Sequence, residues 1–270
     1  MRRALTVAVF STLCASQAWA SITACPSAGG TGTQTLDTIN ANSPTGCQLL
    51  DKQFSNFTST PVGQTSTIEM LNTTTGGNLG ANAITGLVLN FDAPGIWQLS
   101  PNSTTTSVLN YEGTIDPTFT PPPTTGAWTV SQISLVINFN PGNAAQIKNG
   151  DSITVRMEWC PGQTTVTGCA NLQFIQGVLT KNPTLTLTYS NSLGNTNSFM
   201  DVSSFGATSN FAVRNTLTFN GTANGSTFVL TGISNGFDEL GIAPEPTTFA
   251  MFGIALAGLG ALRYRRRKTV

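Results

Sequence analysis

Apolar and polar positions alternate with a period of two along much of this chain, the spacing that turns one face of a strand inward and the other to water. Between residues 151 and 159, Ile153, Val155, Met157 and Trp159 fall on one side, and Ser152, Thr154, Arg156 and Glu158 on the other. Ile133, Leu135, Ile137 and Phe139 make a second inward set. Leu172, Phe174 and Val178 make a third, interrupted by Gln176, and Phe211, Val213, Leu217 and Phe219 a fourth, broken by Asn215. Residues 184–189 alternate Thr with Leu and end in Tyr189, while Leu87, Leu89 and Phe91 predict an earlier strand and Phe228 with Leu230 a late one. Turn-forming residues separate these runs: Pro141-Gly142-Asn143, Asn149-Gly150-Asp151, Asn220-Gly221 and Asn224-Gly225. Many short strands without long helix-forming runs predict a mainly β body, an antiparallel β-sandwich or jelly-roll-like fold of about eight to ten strands. It is read as one domain over residues 21–233, with a stiff proline-rich loop at 118–125.

The two ends depart from this pattern. Residues 1–20 read as a secretion signal: Arg2 and Arg3, an apolar run, then Ala18-Trp19-Ala20, a small-residue cleavage site that starts the mature chain at Ser21. At the other end, residues 234–248 read as a linker that closes on Pro244-Glu245-Pro246, whose two prolines each fix φ and remove a donor. Residues 249–262 are a continuous apolar run, the expected transmembrane helix. Residues 263–270, with Arg263, Arg265, Arg266, Arg267 and Lys268, form a basic stop-transfer tail on the cytoplasmic side. Fourteen helical residues span only about 21 Å, short of the roughly 30 Å hydrocarbon core. That is the mark of a transient anchor rather than a permanent one.

Charge sharpens the picture. The formal net charge of zero hides a segregation: seven of the twelve basic residues lie at the ends, and the middle carries five basic and eleven acidic residues, a net charge of −6. An acidic body argues against nucleic acid as a partner. Only 9% of residues are charged, with Thr, Ser, Asn and Gly filling the gap.

The tail, through Pro244-Glu245-Pro246, the apolar run and the terminal arginine cluster, resembles the PEP-CTERM sorting signal, also labelled an ice-binding protein C-terminal domain. The resemblance covers about a tenth of the chain. It implies recognition by an exosortase, a membrane-embedded transpeptidase that cuts near the motif and releases the protein to the cell surface or exopolysaccharide matrix of a Gram-negative-type bacterium. A second stretch, Gly46-Cys47-Gln48-Leu49-Leu50-Asp51-Lys52-Gln53-Phe54-Ser55-Asn56-Phe57, is similar to the opening of many PEP-CTERM surface proteins. It supports the class without supplying an activity.

Once Cys14 leaves with the signal, four cysteines remain, an even number that reads as disulfides in an exported chain. Three pairings exist; Cys25–Cys47 and Cys160–Cys169 are favoured, the second because it would clamp a hairpin loop. No histidine is present and no C-x₂-C spacing, which argues against a zinc site and removes Ser-His-Asp and Cys-His catalysis. Glu69, Glu112, Asp116, Asp151 and Glu158 are carboxylates that a hydrolase could use, but no spacing singles out a pair. The chain is therefore expected not to be an enzyme and to need no cofactor. It is read as a structural or adhesive component of exopolysaccharide or biofilm, with a carbohydrate-binding module as the alternative and a hydrolase after that. Trp97 and Tyr111 are the candidate glycan-stacking residues, since Trp128 and Trp159 keep phase with core positions. Asp92 or Asp116 are loop positions for calcium, though several spaced oxygens would be needed. Thr184, Thr186 and Thr188 form a row that reads as an ordinary polar sheet face.

Overall fold

The computed structural model describes residues 23–26, 32–41, 46–49, 52–71, 74–75, 86–115, 129–182, 184–192, 194, 196–197, 201–208, 210–223, 225 and 227–240. The signal, the apolar run at 249–262, the basic tail, Pro244-Glu245-Pro246, Trp128 and Asp116 lie outside these residues. Among the described residues no helix is long and apolar enough to cross a membrane.

The chain begins with β1 (Thr23–Ala24), β2 (Gln34–Thr35), a six-residue helix α1 (Leu36–Ala41), β3 (Cys47–Leu49) and β4 (Lys52–Thr60). It continues through β5 (Glu69–Met70), β6 (Thr74–Thr75), β7 (Gly86–Asp92), β8 (Gln98–Leu99), β9 (Ser103–Ile115) and β10 (Thr129–Asn138). Then come β11 (Ser152–Pro161), β12 (Gln173–Lys181), β13 (Leu185–Asn191), β14 (Thr196–Asn197) and β15 (Asp201–Thr208). The last three are β16 (Asn210–Gly221), β17 (Phe228–Val229) and β18 (Gly232–Leu240).

These strands form two large sheets and a small pair. One sheet has nine strands in the order β1-β3-β4-β9-β16-β11-β12-β13-β14; the other has seven, in the order β15-β10-β18-β7-β5-β2 with β6 also on β7. Pairing is antiparallel except between β1 and β3. The body is thus mainly β, as the alternation predicts.

One apolar core lies between the two sheets. From the nine-stranded sheet, Phe54, Tyr111, Trp159 and Phe211 point into it; from the other, Phe91 and Phe237 do. Their rings meet directly: Phe54–Phe237 at 5.8 Å, Trp159–Phe237 at 5.7 Å, Phe211–Phe237 at 5.2 Å and Phe91–Tyr111 at 5.5 Å between centroids. Aromatic pairs at such distances add to burial itself, about 1 kcal/mol each. The inward sets at 133–137, 153–159, 211–219 and 87–91 sit where the alternation puts them.

Two expectations are corrected. In β12 the phase is reversed: Ile175, Gly177 and Leu179 face the core, and Phe174, Gln176 and Val178 face out. Either set contains apolar residues, so alternation alone could not choose. Packing does, because a Cβ at Gly177 would stand 2.8 Å from Tyr189 and 2.5 Å from Ile137. Only glycine leaves space for the Tyr189 ring there. The linker expected from Ser234 is also displaced: residues 234–240 belong to β18, an interior strand hydrogen-bonded to both β10 and β7. Ser234 and Asn235, polar by composition, are buried within it.

Candidate functional site

Both favoured disulfides are present, Cys25–Cys47 and Cys160–Cys169. The second closes the hairpin loop between the paired strands β11 and β12. Inside that loop Val166 packs with Cys160 and with Ala212 of β16, so the loop lies down on the sheet.

Trp97 and Tyr111 do not offer glycan-stacking faces. They are 0% and 1% exposed. Each ring sits in the core because its polar atom finds a partner there. Trp97 Nε1 donates to Ser107 Oγ at 3.1 Å, and that hydroxyl donates to Gln64 Oε1 at 2.8 Å. Tyr111 donates its hydroxyl to Asn235 Oδ1 at 2.9 Å, and burial drives its pKa well above the ordinary value. A Tyr or Trp with its handle satisfied inside contributes its whole apolar surface to the core.

The candidate carboxylates are dispersed. Glu158 occupies an outward position on β11, as alternation predicts. It accepts from Arg156 Nε at 3.2 Å and also from Arg214 Nε, and it is largely buried beneath them. The Arg156 guanidinium in turn lies 3.9 Å over the Phe174 ring. Asp151 is a structural clamp: its carboxylate accepts from Thr222 N at 2.7 Å, Thr222 Oγ1 at 2.8 Å and Lys148 N at 2.7 Å. Burial raises its pKa, but those hydrogen bonds and the Lys148 charge outweigh burial and hold it below 3.8. Glu69 and Asp92 stand directly opposite each other on β5 and β7. Burial raises the Asp92 pKa, a hydrogen bond from Ala93 N opposes this, and the Glu69 charge adds to the rise. Among the described residues no three His, Cys, Asp or Glu side chains gather as metal ligands would.

The outer face of the nine-stranded sheet is where polar side chains converge. Register places Thr106, Thr218, Thr154, Val178 and Thr188 side by side on successive strands. Thr180 and Thr186 are paired in the next row. The Thr184-Thr186-Thr188 row is thus one margin of a wider hydroxyl-bearing surface. A groove of about 340 Å³ crosses this face. Asn110, Glu112 and Arg214 line its floor, Asn56 and Thr58 one side, and residues 164–167 of the disulfide loop the other.

The wall at Asn56 has a distinct cause. Asn56 is left-handed, φ 55, at a register shift in β4 between Ser55 and Thr58. The extra residue lets Phe54 and Phe57, three apart, both point inward. Asn40 of α1 secures it: its Nδ2 donates to Phe57 O at 2.7 Å and its Oδ1 accepts from Phe57 N at 3.2 Å. Arg214, Asn110 and the loop threonines were not singled out from sequence. Alternation gives their outward phase, but lateral neighbours come only from strand order.

Residues 243–267 fit the family model for the PEP-CTERM protein-sorting motif. No curated protein matches the chain. The matched span begins three residues beyond Leu240, the end of β18, so the motif follows closely on the folded body. A motif of this kind directs an exported protein to an exosortase-type membrane enzyme and on to the cell surface, and by residues 243–267 this chain is a protein bearing the PEP-CTERM sorting signal.

Proposed function

We propose that the protein is a structural or adhesive component of the extracellular polysaccharide matrix, without enzymatic activity. The observation that carries this reading is the outer face of the nine-stranded sheet, a broad surface of threonine hydroxyls and amides on which the buried carboxylate of Glu158 is held between two arginines. Such a surface offers many weak hydrogen-bonding positions. A general acid would need a carboxyl poised to give up a proton, whereas Glu158 is engaged by both arginines as an acceptor. The two facing sheets are read as a sandwich, a rigid spacer suited to display. The signal at residues 1–20 and the tail complete the route: export, brief retention in the inner membrane, processing, release.

The test is fractionation of the producing cells with intact-mass measurement of the protein recovered outside them. The expected species starts at Ser21, ends near Pro246, is light by two hydrogens for each of the two disulfides, and sediments with matrix polysaccharide. A chain that ends at Val270 and stays with membranes overturns the processing step. A processed chain free in the medium overturns the matrix role.

A further inference from the structure

We propose that the groove on the outer face of the nine-stranded sheet binds a segment of uncharged polysaccharide laid across the strands over Asn110, Glu112 and Arg214. The inference deepens the matrix reading above and rests on it for the source of the ligand.

Three observations carry it. The first is that both walls are built in advance. One is the Asn56 bulge, held by the two hydrogen bonds from Asn40. The other is the 160–169 loop, closed by its disulfide and fastened to the sheet through Val166 on Ala212. A preformed groove avoids the ordering cost that weakens binding by mobile loops. Its volume of about 340 Å³ falls within the usual range for ligand sites.

The second is the order of chemical groups. Register sets Thr58 beside Asn110 and Asn110 beside Arg214 on three neighbouring strands, with Glu112 next along β9. Adjacent strands lie about 4.8 Å apart, so hydroxyl, amide and guanidinium repeat on a spacing comparable to a sugar unit. The set mixes donors with acceptors, which suits a polymer whose hydroxyls both donate and accept.

The third is charge. Arg214 and Arg156 share Glu158, and Glu112 in the floor balances the charge they leave over, so the groove itself presents no net positive charge. The body as a whole is acidic. A polyanionic polymer would be repelled from this surface at long range. No ring face is exposed in the groove among the described residues, since Tyr111 turns its ring into the core. Binding therefore depends on hydrogen bonds, is weak at one site, and gains strength from many copies on one polymer.

The exported protein is tested by native gel retardation in hydroxyethylcellulose, dextran and galactomannan as uncharged probes, and in alginate as a charged one. The expected result is retardation by at least one uncharged polymer and none by alginate. Each of N110A, E112Q and T164A should then weaken retardation about threefold or more. Thr164 lies on the loop rather than in the sheet, so its variant keeps the test open if a strand substitution unfolds the protein. Retardation by alginate, by no uncharged polymer, or undiminished from wild type in all three variants overturns the proposal. Matrix sedimentation of the wild type separates this from the broader reading. Variants that still sediment with matrix but lose gel retardation uphold the groove. A wild-type protein retarded in gels yet free of matrix upholds the groove and removes the matrix role.

Discussion

Asp151 shows how much one side chain can organise here. A single carboxylate ties the turn at Lys148 to the backbone at Thr222, which lies 71 residues beyond Asp151 in sequence. Its replacement by alanine leaves two backbone N–H groups without their charged acceptor, and we expect a loss of about 3 kcal/mol at pH 7 by urea denaturation. The pH dependence follows from the lowered pKa. Stability from this group is fully present above 3.8 and is lost as pH falls through the lower folded value. The gap between wild type and D151A should therefore be constant near neutrality and close in strong acid. A second residue-scale case is the amide pair in the core. Asn235 Nδ2 donates to Asn215 Oδ1 at 3.1 Å, Asn215 Nδ2 donates to Asn235 Oδ1 at 2.8 Å, and both residues are 0% exposed. Asn215→Leu leaves Asn235 still bonded to Tyr111 and Met157, whereas Asn235→Leu takes an acceptor from both the Asn215 amide and the Tyr111 hydroxyl, so the second should cost more, about 2–3 kcal/mol against about 1–2 kcal/mol. The double substitution should cost less than the two singles together by about 1 kcal/mol or more, read from a double-mutant cycle. The sequence marked Asn215 as a break in an apolar row. It could not reveal the break on β18 that answers it, because that partner lies on the opposite sheet.

At the scale of elements, the Gly46-Cys47 step and the stretch after it acquire a physical meaning. Gly46 has φ +65, and a Cβ there would lie 2.0 Å from Phe54 O. Cys47 then pairs with Phe54 across β3 and β4 while bonded to Cys25, so turn, bridge and bulge form one unit. G46A should disrupt this unit at a cost of several kcal/mol, seen as a lowered midpoint of thermal unfolding. The two disulfides close loops with sequence separations of 22 and 9 residues. Chain entropy puts their contributions at about 3.4 and about 2.6 kcal/mol. The C160S/C169S variant should also lose gel retardation beyond its loss of stability, because the loop is a wall of the groove. Alternation located most strands, since it reports burial on one face. It reversed β12, where both faces carry apolar residues and the deciding fact is the Tyr189 ring against Gly177. It missed the groove for the same kind of reason: a lateral row such as Thr58, Asn110 and Arg214 joins positions far apart in sequence.

For the whole molecule, the C-terminal sorting motif was more legible than the surface of the body. A sorting signal is read by other machinery as a linear string, so its residues must stand together in sequence, as they do at 243–267. A binding surface carries no such requirement. Substituting all three residues of Pro244-Glu245-Pro246 by alanine should leave the body folded but held in the membrane fraction, checked by comparing membrane and medium on immunoblots.

The position of β18 has a consequence for timing. The seven-stranded sheet places its last-made strand in its interior, between β10 and β7. β10 cannot be fully paired on that side until residue 240 has emerged, nor β7 until residue 238 has, and chains emerge from their N-terminal end first. The three steps from Leu240 to residue 243 reach at most about 11 Å even when fully extended. Completion of the sheet thus waits on residues that stand directly before the motif. The last strand ties closure of the body to synthesis of the chain up to the threshold of the sorting signal.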